Sequence, residues 1–95
     1  MKLIYSADAL QDLMRLRTFI AEHDPSAANR IGKDLVARIE HLCLFPEMGR
    51  EVGLTPLAGK VRDIIFGRYV VRYALQDAII VVLRIWHHYE DWKKD

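Results

Sequence analysis

Between Val61 and Trp86 the chain carries three apolar, β-branched segments, Val61 to Phe66, Tyr69 to Leu75 and Ala78 to Trp86, broken only at Gly67-Arg68 and Gln76-Asp77. Both breaks have the length of two-residue hairpin turns, and glycine at a first central position suits one of them well. A three-stranded antiparallel meander is therefore expected. With both turns tight, Arg62, Ile64 and Phe66 share a face with Tyr69, Val71, Tyr73, Ile80, Val82, Arg84 and Trp86. The other face holds Val61, Ile65, Val70, Ile79, Val81, Leu83 and Ile85, with Asp63 directly across from Arg72. The aliphatic face is expected to pack on helices. The arginine- and aromatic-bearing face is expected to lie open, there to stack bases, clasp phosphates, receive a partner's helix, or merely shield half-buried aliphatics. A one-residue bulge in either hairpin would redistribute these faces.

Upstream the period changes. Residues 2–5 read as a short strand, and Ser6 as the N-cap of a helix from Ala7 to about His23, with an apolar stripe of Leu10, Leu13, Met14, Leu16 and Ile20. Asp24 and Pro25 supply a cap and a first-turn proline for a second helix reaching about Phe45. Its stripe is Ala28, Ile31, Leu35, Ile39, Leu42 and Cys43, and Gly32 within it is expected to permit close helix approach. Pro46 ends that helix, and Glu47 to Lys60 form a long irregular connection. The expected fold is a single α+β domain spanning residues 1–95: short N-terminal strand, αα-hairpin, then meander, with the helices on one sheet face.

Composition excludes several classes. With 95 residues, 52% hydrophobic and 28% charged, the chain is neither disordered nor fibrous. Its apolar runs are strand-length, too short to span a bilayer, and Met1 to Ser6 does not begin a signal peptide, so a cytosolic location without membrane contact is expected. A net charge of +1 speaks against the whole molecule being a nucleic-acid binder. The lone Cys43 reads as a buried thiol. His87 and His88 are strand neighbours pointing to opposite faces and make a poor chelate, so no metal and no cofactor are expected.

The last strand ends in Arg84, Trp86, His87, His88, Tyr89 and Trp92, a density of polar-tipped rings suited to gripping a protein or nucleic-acid partner, or else to capping the core. The order of elements and several words of sequence resemble the RelE/ParE superfamily of toxins from bacterial type II toxin–antitoxin modules. Those words are Ala9-Leu10-Gln11-Asp12-Leu13, Phe45-Pro46-Glu47-Met48-Gly49-Arg50, Val61-Arg62-Asp63, Gly67-Arg68-Tyr69-Val70-Val71-Arg72-Tyr73 and Leu83-Arg84-Ile85-Trp86-His87. They cover nearly the whole chain, and the Gly-Arg-Tyr and Leu-Arg words look closer to the ParE-like branch.

The resemblance implies a toxin held inactive by a cognate antitoxin. On the ParE-like branch the target is DNA gyrase, inhibited by protein contact so that cleaved DNA accumulates, and no residue is catalytic. The target surface is then expected at Arg62, Arg68, Arg84, His87, His88 and Trp92. The alternatives are a RelE-like endonuclease cutting mRNA on the ribosome, in which Arg84, His88 and Trp92 repeat a spacing seen in some nuclease members, and a non-toxic antitoxin-binding module. Against the nuclease, the segment from Glu47 to Tyr73 has arginines but no histidine, and arginine stays protonated and makes a poor general base. The antitoxin is expected to bring a segment that folds on binding along the helical hairpin, with Arg17, Phe19 and Leu44 as candidate contacts. A homodimer or a toxin–antitoxin hetero-oligomer is left open.

Overall fold

The computed structural model describes residues 1–53 and 60–88. Strand β1 (Lys2–Tyr5) precedes helices α1 (Ala7–His23) and α2 (Ala28–His41), followed by strands β2 (Arg50–Glu51), β3 (Val61–Phe66), β4 (Tyr69–Gln76) and β5 (Ile79–His87). They form one sheet in the order β1-β5-β4-β3-β2. The meander is thus the centre of a larger, mixed sheet: β1 lies parallel to β5, and β2 adds an antiparallel edge to β3. No described helix is long and apolar enough to cross a membrane.

Ser6 does cap α1. Its Oγ accepts from the Ala9 amide at 3.0 Å and donates to the Leu83 carbonyl at 3.0 Å, tying the helix start to β5. Helix α2 is shorter than its sequence suggests. Asp24 caps a turn instead of a helix, its carboxylate accepting from Ser26 Oγ and the Ala27 amide at 2.9 and 3.2 Å. At the other end, amides of Leu42 to Phe45 bond carbonyls three residues back, so the last turn tightens and stops before Pro46. On α1 the buried stripe is Ala9, Asp12, Leu16 and Ile20; Leu10 and Met14, expected in it, are exposed, Met14 by 72%. Cys43 is half-buried against the core.

As far as Val82 the two sheet faces are the reverse of the expectation, while Ile85, expected on the packed face, does lie in the core. Ile64, Val71, Tyr73, Ile80, Val82 and Ile85 lie under the helices with Leu16, Leu35, Ile39 and Leu42, each burial worth about 1.5–3 kcal/mol. Ile65, assigned to the packed face, is 66% exposed. Tyr73 can be buried whole because its hydroxyl donates to the Pro46 carbonyl at 2.7 Å and accepts from the Gly49 amide at 2.9 Å. A side chain at Gly49 would meet that hydroxyl at 2.7 Å, so the backbone approach requires glycine.

The register also moves. The second turn is Asp77-Ala78, with Asp77 at φ 55°, and Gln76 pairs with Ile79. Tyr73 pairs with Val82 but Arg72 with Arg84, which leaves Leu83 as an inserted bulge residue. Beyond it the alternation inverts: Ile85 joins Val71 in the core, and Trp86, expected beside Tyr69 and Val71, pairs with Val70 on the outer face. The Asp63–Arg72 pair is directly cross-strand as expected.

Candidate functional site

The C-terminal half of β5 is positioned from two sides. Strand β1 accompanies β5 only as far as Val82, so the backbone edge beyond needs other partners. Helix α1 supplies them as side chains one turn apart: Asp12 accepts from the Ile85 amide at 2.8 Å, and Arg15 donates to the Ile85 carbonyl at 3.0 Å. Arg84 binds the same carboxylate through Nε and Nη2, at 2.8 and 3.1 Å, and Arg15 Nη1 also bonds it. Asp12 is 1% exposed. Burial alone would raise its pKa, but the bonds from Arg84, the Ile85 amide and Arg15 outweigh burial and hold the carboxyl below its ordinary value. The same contact makes Arg84 more basic than a free guanidinium. Arg84, one of the residues expected at the target surface, is thus the partner of a buried acid on α1.

His87 turns inward. It is 9% exposed and packs between Phe19 of α1 at 5.3 Å and Tyr69 of β4 at 5.2 Å, the latter edge-on. Phe19, nominated as an antitoxin anchor, is half-buried in this stack and also meets His23 at 4.8 Å. His88 is exposed, and its amide extends the β4–β5 ladder to the Arg68 carbonyl at 2.7 Å. On the outer face Arg72 clasps Asp63 through two bonds of 2.8 and 3.0 Å and lies 5.4 Å over the Trp86 ring. Trp86 is itself only 2% exposed, so it offers no open ring on which a base could stack.

The remaining nominees separate. Arg62 braces the loop after α2, donating to the Glu47 and Gly49 carbonyls at 3.2 and 2.7 Å. Arg68 is exposed on the β3–β4 turn. Trp92 lies outside the described residues. Leu44 is exposed beside Phe45 and Met48, in a patch beyond the end of α2.

Sequence reasoning missed a groove of about 580 Å³ between the helices, lined by Leu13, Arg17, Gly32, Lys33 and Val36 among others. Arg17 reaches across to Asn29 of α2 at 2.7 Å. The signal for it lay in the two helical stripes, since Leu13, Leu16 and Ile20 of α1 and Ala28 and Leu35 of α2 line it beside Gly32. Among the described residues no group of three or more His, Cys, Asp or Glu is placed to hold a metal ion.

Comparison with known proteins agrees with this architecture. The sequence model of a family described as "ParE toxin of type II toxin-antitoxin system, parDE" matches residues 3–92. Toxin RelE1 of Caulobacter vibrioides is 39% identical over 89 residues, covering 92% of each chain. Toxin RelE2 of the same organism is 30% identical over 87 residues, covering 90% of this chain and 93% of its own. A solved chain from the chromosomal ParDE system of P. aeruginosa superposes with a TM-score of 0.76 at 20% identity, covering 92% of this chain and 95% of that one.

Proposed function

The chain belongs to the ParE toxin family of type II toxin–antitoxin systems, and we propose that it acts in the cytosol by binding DNA gyrase so that cleaved DNA accumulates. Its neutralising partner is a cognate antitoxin. The observation that carries the gyrase reading is the Asp12–Arg84 pair. A nuclease working through Arg84 would have to share with a phosphate, or draw away from the buried Asp12 carboxylate, a guanidinium that two bonds hold there. A protein partner needs only side chains already at the surface, and Arg68 and His88 are the nominated ones that are there.

The antitoxin is assigned to the groove between α1 and α2, whose apolar lining and cationic rim of Arg17 and Lys33 suit an amphipathic helix carrying acids. A second reading, ribosome-dependent mRNA cleavage with Arg84, His88 and Trp92 at the scissile phosphate, draws support from the RelE names of the two Caulobacter relatives. One experiment separates them: purified toxin incubated with gyrase, ATP and supercoiled plasmid, beside a translating ribosome reaction whose mRNA is mapped for cuts. Gyrase-dependent linear DNA with intact mRNA is expected. Ribosome-dependent cuts with normal gyrase activity would replace the first reading with the second.

A further inference from the structure

Gly32 sits inside α2, where glycine is destabilising relative to alanine because it surrenders more backbone freedom on folding. Nothing among the described residues of the toxin's own fold requires it. Among the described residues the positive-φ positions are Gly67 and Asp77, so Gly32 has ordinary helical backbone. A Cβ placed on it meets no atom within 4 Å, in contrast with Gly49 against Tyr73. The close helix approach expected from the sequence is therefore not an approach of α1.

Gly32 does line the groove, flanked by Leu13 and Arg17 from α1 and Lys33 and Val36 from α2. Resting on the assignment of this groove to the antitoxin, we infer that Gly32 is the point where the antitoxin's helix passes nearest the toxin backbone, and that it sets which antitoxins fit. A missing side chain on one helix lets a partner's axis come nearer than the usual 8–10 Å packing distance, as small residues do wherever helices cross closely. The occupant is thereby described: a helix with apolar residues for Leu13 and Val36, a small residue opposite Gly32, and a carboxylate for the rim. The groove lining holds two cations, Arg17 and Lys33, and one acid, Glu40, and the Asn29 amide oxygen that Arg17 bonds is neutral, so the lining keeps a positive excess. A non-cognate antitoxin with a bulky residue at the crossing would be refused on steric grounds.

The test uses the toxin, its Gly32→Ala and Gly32→Leu variants, and the cognate antitoxin, with affinity measured by calorimetric titration and fold by thermal melting. Both variants are expected to melt no lower than the wild type. Affinity is expected to fall severalfold for alanine and at least about tenfold for leucine, the scale of overpacking a close-packed contact. Unchanged affinity for Gly32→Leu overturns the inference. So does a lowered melting temperature, since it would mean that the toxin itself uses that space. If the wild type fails to bind this antitoxin, the capture reading falls first, on a different sample.

Discussion

A carboxylate with 1% exposure persists only if its charge is met, and Asp12 is met by two guanidiniums and a backbone amide. Removing it takes the shared carboxylate from both arginines and leaves the Ile85 amide without its acceptor, so Asp12→Ala is expected to cost about 1–3 kcal/mol, read from urea unfolding at neutral pH. The pH dependence has a definite sign. The folded carboxyl holds its proton less readily than an unfolded aspartate, whose pKa is about 3.9. Between the two values the unfolded chain binds a proton that the folded chain does not, so the contribution is complete above about pH 5 and declines as pH falls through the depressed folded value. Asp12→Asn should flatten that acid limb of the stability profile. A limb as steep as the wild type's would assign the acid sensitivity to other carboxylates.

Among the elements, the connection after α2 depends most on a single side chain. Tyr73 holds both the Pro46 carbonyl and the Gly49 amide, and Arg62 holds the next carbonyl. Tyr73→Phe keeps the ring in the core and loses both bonds, with an expected cost of about 1–3 kcal/mol for the buried groups left unsatisfied. Hydrogen exchange should quicken at Gly49 more than in β4; uniform quickening would mean that the core, not the loop, had loosened. Much of this architecture could be read from the chain: the helix cap at Ser6, the hairpin at Gly67-Arg68, the cross-strand Asp63–Arg72 pair and the order of elements. What could not be read was the bulge at Leu83, because the alternation of Val81 to Trp86 is compatible with either parity until a partner strand fixes it. From that one residue follow the placements of Trp86, Ile85 and His87. Asp12 was illegible for a related reason: an acid in an apolar stripe looks like a solvated residue unless the open edge of β5 is known to lie against it.

For the whole molecule, function on the proposed reading divides between elements instead of gathering at one centre. The helices carry the groove with Arg17 and Gly32, while Arg68 and His88 share the end of the sheet, joined by the bond from the His88 amide to the Arg68 carbonyl. That bond runs between backbone atoms. With a net charge of only +1, the molecule has little long-range attraction for DNA itself, which fits the proposed contact with a protein surface through local cations. Arg68→Glu is expected to melt within about 4 °C of the wild type, the usual scale for exposed substitutions in a domain of this size. It should bind the antitoxin within about twofold and lose about tenfold or more in gyrase inhibition, as removal of an interfacial arginine does. Combined with Gly32→Leu, the two effects should appear independently, one in antitoxin affinity and one in potency, because sites without shared partners add. Full potency in Arg68→Glu would move the target surface off the β3–β4 turn. Coupling between the two substitutions would mean that antitoxin and target compete for one surface, so that neutralisation works by direct occlusion.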